Sequence, residues 1–301
     1  MAHTVKHGSI LGGVATVPDL DAAIKDYRDV LGMQVVENGI MSSDLAGSWG
    51  CPNSAGTCMV ILQPASGADC FIRLVEQPDH PEFKPTTTYG WAAYELSVRD
   101  VFGWPDRLQV SGFDIVGPPK ELEGMPFFVP MQVLGTGREM IYLNEVRENM
   151  PSTDLPKAQS LTDQIFIVIL ASPDRAETVR WYEEKLGFDA GDTFSLAYSM
   201  INNAFGLPAD TRSDLTMVQS GRLPIVEVDD YPGIATIRAR HDGMLPPGNA
   251  LVSLAVDDFR KIDMPWITPP EKRKEMPYNG RRSATVKGPA SELLELIEIG
   301  R

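Results

Sequence analysis

The chain has 301 residues, 43% of them hydrophobic, and its 41 acidic and 27 basic side chains leave a net charge of −14. That length and apolar content suit two domains with buried cores, while an acidic chain without a Lys/Arg cluster makes nucleic acid and anionic membranes poor partners. No run approaches the roughly 18–20 apolar residues of a membrane span, and the start lacks the apolar core of a signal peptide, so a cytoplasmic protein is expected.

The first predicted unit runs from Gly12 to Val36. It reads as an apolar strand ending at Asp19, a helix from Asp21 that carries Tyr27, and a strand through Val35 after Leu31-Gly32-Met33. The pattern returns from Ile165 to Phe188, with Asp174, Tyr182 and Leu186-Gly187-Phe188; Asp19 to Leu31 and Asp174 to Leu186 are the same twelve-residue step. Two weaker copies begin with the alternating strand around Tyr94, Leu96 and Val98 and with Leu251 to Val256, giving four units of roughly 75–85 residues. Each unit closes on a short alternating strand: Phe71–Glu76, Met140–Leu143, Ile225–Asp229 and Leu293–Glu298. Units one and three share a further landmark, Trp49-Gly-Cys-Pro52 against Phe205-Gly-Leu-Pro208. Prolines 105, 265, 269 and 270 predict short helices in units two and four. Residues 148–162, with Pro151, Pro156 and no apolar period, read as a linker between an N-terminal domain (1–147) and a C-terminal domain (163–301). Cys51, Cys58 and Cys70 are odd in number and lack Cys-x-x-Cys spacing, so they read as buried small hydrophobes.

Apolar strand, Asp-Leu, helix with a late Tyr, Leu-Gly-Met/Phe and a final Ile-Glu-Leu strand together resemble the vicinal oxygen chelate superfamily of glyoxalases, bleomycin-resistance proteins and extradiol dioxygenases. The resemblance implies an α+β fold: four βαβββ modules, paired into two glyoxalase-like domains with cup-shaped mixed sheets. Which modules pair is left open. In metal-dependent members a ligand sits on the first strand seven residues before the Asp of the turn, and a Glu sits in the middle of the last strand. Here the first-strand positions read Gly12, Ala93, Ile167 and Leu251, none of them a metal ligand, and the last-strand positions read Arg73, Tyr142, Glu227 and Glu295. His7 lies too far before Gly12, His3 further still, and His80 and His241 fall in loops, so no metal and no other cofactor is expected.

Strand alternation puts Val226 and Val228 on one face and Glu227 on the other, and does the same for Leu294, Leu296 and Glu295. If units three and four pair, Glu227 and Glu295 share an apolar cup, in which one pKa rises and the two acids divide into general acid and base. Tyr278 and Arg281 overhang that cup as donors. The plain alternative ties each Glu to an arginine such as Arg281 or Arg282. The first half offers Glu95, Arg73 and Tyr142 on cup-facing positions as base, anion clamp and oxyanion donor. An internal Arg73–Glu95 pair is the structural alternative. Trp49 and Trp91 read as rim residues for an apolar ligand. The expectation is a metal-independent lyase or isomerase that moves a proton next to a carbonyl in a small apolar or aromatic catabolite. A drug- or metabolite-binding protein of the bleomycin-resistance type and a divergent metal-dependent dioxygenase or glyoxalase are the alternatives. A small-molecule ligand is the expected partner, and a homodimer fits the resemblance.

Overall fold

The computed structural model describes residues 5–122 and 125–300; His3 lies outside them. Module one comprises β1 (Ile10–Val17), α1 (Leu20–Lys25), β2 (Gln34–Ile40), α2 (Ser43–Ser48), β3 (Cys58–Gln63) and β4 (Phe71–Glu76). Module two comprises β5 (Gly90–Val98), α3 (Trp104–Leu108), β6 (Asp114–Gly117), β7 (Phe128–Leu134) and β8 (Met140–Val146). Module three follows with β9 (Thr162–Ser172), α4 (Arg175–Leu186), β10 (Asp189–Leu196), α5 (Ser199–Phe205), β11 (Ser213–Ser220) and β12 (Leu223–Asp230). Module four has β13 (Asn249–Val256), β14 (Glu271–Lys272), β15 (Arg282–Lys287) and β16 (Leu293–Glu298), with only a 3₁₀ turn at Phe259–Lys261 in place of its helix.

Local chemistry accounts for these helices. Asp19 and Asp174 cap α1 and α4 by accepting from the amides of Ala22 and Glu177, each at 2.9 Å, which satisfies one of the orphan donors of a helix start. Gly187 ends α4 in the left-handed conformation, and Pro265, Pro269 and Pro270 keep module four from forming a longer helix. Helix α1 widens into a π turn over Asp26–Val30, which carries Tyr27.

The strands form two eight-stranded sheets, in the orders β14-β15-β16-β13-β1-β4-β3-β2 and β10-β11-β12-β9-β5-β8-β7-β6. Within each module the first and last strands run parallel, and the sheets are closed at their centres by the antiparallel pairs β1–β13 and β5–β9. Module one therefore pairs with module four, and module two with module three. The expected division at 1–147 and 163–301 follows the duplication, but each sheet takes one module from either side of it; residues 148–161 cross between them without helix or strand.

The helix-facing sides of both sheets share one core, containing Leu74, Leu96, Val168, Val226, Leu254 and Leu296. Tyr94 crosses this seam to donate to the carbonyls of Val14 (2.6 Å) and Leu251 (3.0 Å). A Cβ on Gly13 would stand 2.7 Å from that ring, so the approach requires glycine. Two clasps tie each sequence half together instead: Tyr27 donates to Glu139 at 2.9 Å and Tyr182 to Glu292 at 3.2 Å. Both acceptors end a Gly-x-x-x-Glu turn, and a Cβ on Gly135 or Gly288 would meet the carboxylate at 2.0 Å. Of the cysteines, Cys51 and Cys70 are buried as expected, whereas Cys58 is exposed at the start of β3.

Candidate functional site

The strand registers fix which side chains meet. Beside the last-strand residues Arg73, Tyr142, Glu227 and Glu295 stand Val14, Glu95, Ile169 and Ser253 on the first strands. These lie two residues beyond the expected positions Gly12, Ala93, Ile167 and Leu251. Glu95, an acid, is thus the register neighbour of Tyr142.

The two candidate groups also exchange members. Glu295 joins Arg73 and Tyr278, and Glu227 joins Glu95 and Tyr142, because modules pair one with four and two with three. Neither the Glu227–Glu295 pair nor the Arg73–Glu95 pair forms.

In the cup of modules one and four, Glu295 is fully buried and receives four donors, two on each oxygen. Trp49 Nε1 (2.9 Å) and Tyr278 Oη (2.7 Å) donate to Oε1, while Arg73 Nη2 and Ser253 Oγ (both 2.6 Å) donate to Oε2. Arg73 also donates to Tyr278 at 2.7 Å, and its guanidinium lies 4.8 Å from the Trp49 ring centroid. Burial alone would neutralise both ions, but Tyr278 and Glu295 hold Arg73 above its ordinary value and Arg73 holds Glu295 below its own. Every acceptor site of the carboxylate is used, so this cup holds a satisfied ion pair closed by Trp49. The arginine on Glu295 is Arg73, not Arg281 or Arg282. Arg281 instead donates to the carbonyls of Tyr278 and Pro277 and lies near Asp69, outside the cup. Trp91 is likewise not a rim residue: it is buried at the seam, and its indole donates to the Leu293 carbonyl at 2.8 Å.

The cup of modules two and three has the opposite character. Glu95, Glu227 and Asp229 converge there, and no cation counters them. Burial raises Glu95 far above the usual carboxylate range, with the Glu227 charge adding to the shift. Burial pushes Glu227 up to about 7, against the lowering effect of nearby Asp229 and Tyr198, and burial and Glu227 raise Asp229 strongly. Asn144 donates to Glu95 at 2.5 Å, leaving its own Oδ1 without a partner, as is Asp229 Oδ1. Tyr142 and Tyr198 share a hydroxyl–hydroxyl hydrogen bond of 3.0 Å across the mouth. Tyr198 immediately precedes α5, whose Met200 and Ile201, with Tyr142, Tyr198 and Asp229, line a cavity of about 10 Å³ that Glu95 and Glu227 do not reach. Asn144 stands beside Glu95 and Tyr142 on the cup face already from the sequence, whereas Asp229 and Tyr198 were not singled out as members of this site, although Asp229 shares the strand face of Glu227 by simple alternation.

Neither donor set fits a divalent metal. In the first cup the Arg73 guanidinium already occupies the cation position beside Glu295. In the second, no three His, Cys, Asp or Glu side chains among the described residues are arranged to hold a metal ion.

No family model matches the sequence, and no curated protein matches it significantly. Solved structures do resemble it. Glyoxalase I from Zea mays superposes with a TM-score of 0.61 at 16% identity, covering 96% of this chain and 92% of that one. A candidate dioxygenase from Bacillus subtilis gives 0.62 at 12% identity, covering 98% and 86%. At such identities the likeness speaks for the fold alone, and the chain accordingly has a glyoxalase-like fold, with its modules in tandem.

Proposed function

We propose that the cup of modules two and three is an acid/base site that works without a metal, moving a proton next to the carbonyl of a small apolar or aromatic compound as a lyase or isomerase does. The observation that carries this reading is the group of three mutually close carboxylates, Glu95 and Asp229 buried and Glu227 half-buried, with no cation among them. Such a group retains protons near neutral pH: a protonated member donates to a carbonyl oxygen while an ionised one removes the adjacent proton. Glu227, raised only to about 7, is the base, and the more strongly raised Glu95, oriented by Asn144, is the acid. The Tyr142–Tyr198 hydroxyl pair adds donors for a developing oxyanion.

The test is proton exchange. With a panel of small aromatic and aliphatic ketones and acids in D₂O, NMR should detect deuterium entering the position next to the carbonyl of one class. Glu227→Gln and Glu95→Gln should each slow it by roughly 10²–10⁴-fold. The unfolding midpoint should stay the same or rise, because a buried repulsion is relieved. Compounds that bind but return without deuterium would favour a binding protein, a reading supported by the apolar walls Met140, Ile169, Met200 and Ile201.

A further inference from the structure

A larger cleft lies outside both cups, at the seam where β5 and β13 begin. It has a volume of about 300 Å³ and is bounded by the 231–248 segment, the β15–β16 turn and Trp49. Its walls are apolar in a specific way. The indole N–H of Trp49 is spent on Glu295 and that of Trp91 on the Leu293 carbonyl, and both rings are buried behind the lining, as is Leu293. The apolar surface open to a ligand is that of Ile237 and Ile267.

The charged groups lining it are almost all of one sign, in a chain whose net charge is −14. Arg238 is fixed: its guanidinium donates to Thr88 Oγ1 (3.0 Å) and to the carbonyls of Asn249 (2.8 Å) and Trp91 (2.7 Å), pinning the 231–248 segment to the seam. It contributes positive charge rather than free donors. Arg240 and Lys287 are exposed and enter no ion pair among the described residues; Arg240 has only a weak 3.9 Å contact to Cys51 Sγ. The one acid of the lining, Glu292, is bonded to Tyr182, and burial pushes it up to about 7, so it cancels little of this charge. A charge left unpaired beside partly enclosed apolar carbon is suited to a counter-ion that carries its own apolar body.

We infer that this cleft is a second binding site, for an apolar organic anion whose apolar body packs on Ile237 and Ile267, near the buried Trp49 and Trp91, and whose acid group meets Arg240 and Lys287. The probes are 8-anilinonaphthalene-1-sulfonate and N-phenyl-1-naphthylamine, the same ring system with and without the anion, titrated by fluorescence with excitation of tryptophan. The expected result is saturable binding of the sulfonate with energy transfer from tryptophan. Its affinity should fall about tenfold in the Arg240→Gln/Lys287→Gln variant, while the neutral amine binds the two proteins alike. In the unaltered protein, added NaCl should weaken the sulfonate and not the amine. Equal affinity of the sulfonate for both proteins, equal affinity of the two probes for the unaltered protein, or no saturable binding would each overturn the proposal.

Discussion

Arg73 and Glu295 show how much a single buried pair depends on its surroundings. Each ion is stable only because the other and its neighbours Tyr278, Ser253 and Trp49 are present. Removing one member by Arg73→Ala leaves a buried charge without its partner and should lower stability by about 3–5 kcal/mol in denaturant unfolding; replacing both by apolar residues, as in Arg73→Met/Glu295→Leu, should cost less than the two single changes summed. The clasp residues predict a pH dependence. Glu139 and Glu292, like Glu227, are raised to about 7 in the fold, chiefly by burial. Their unfolded value is near 4.3, so between roughly pH 4.5 and 7 the folded chain holds more protons and stability falls as pH rises, levelling above 7. Glu295, held low, contributes in the opposite sense and loses its contribution only as the pH falls further. Thermal melting should therefore be lower at pH 7.5 than at pH 5.5, with each of the three acids contributing on the order of 1–3 kcal/mol, and Glu139→Gln should flatten the slope.

At the scale of elements, α2 and α5 are counterparts with different outcomes. The segment after α2 sends Trp49 into its cup, where the indole N–H completes the shell of Glu295. The matching residue is Phe205 at the end of α5, whose side chain has no N–H to donate and instead packs edge-on against Tyr231 at 5.9 Å. Closure of the second cup is left to Tyr198 at the start of a seven-residue helix, through its bond to Tyr142. A cover held by one hydroxyl pair and a few apolar contacts opens more easily than the strands beneath it. Amides of α5 should accordingly exchange with solvent faster than those of β11 and β12. Tyr198→Phe should quicken that exchange further while changing global stability by only about 0.5–1.5 kcal/mol. The cavity of about 10 Å³ beside Tyr198 and Asp229 admits roughly one water.

For the whole molecule, sheet pairing and helix clasps divide the chain differently. The clasps join module one to two and three to four, while the sheets join one to four and two to three. A separated half would expose the central edges of β1 and β5, or of β9 and β13, each an unpaired ladder of amides and carbonyls. Fragments 1–147 and 163–301 should therefore self-associate or aggregate alone and combine one to one when mixed, as size-exclusion chromatography would register. Two fragments that each stay monomeric and folded would contradict the shared sheets.

The four modules, their strand faces and their proline-shortened helices were legible in the sequence, because alternation, capping by Asp19 and Asp174 and the punctuation of Gly and Pro are local effects. So was the cup-facing direction of Arg73, Glu95, Tyr142, Glu227 and Glu295, since a strand of period two has only two sides. The Gly-x-x-x-Glu turns at Glu139 and Glu292 were also written there, beside the late tyrosines they bind, but a hydrogen bond between residues 27 and 139 has no local signature. What the tertiary structure alone decided was company. Both ways of pairing modules bury the same apolar faces, so hydrophobic pattern cannot choose between them; the β1–β13 and β5–β9 contacts do. That choice gave Glu295 an arginine and left Glu95, Glu227 and Asp229 without one, which is why one cup is a finished ion pair and the other holds acids with no cation beside them.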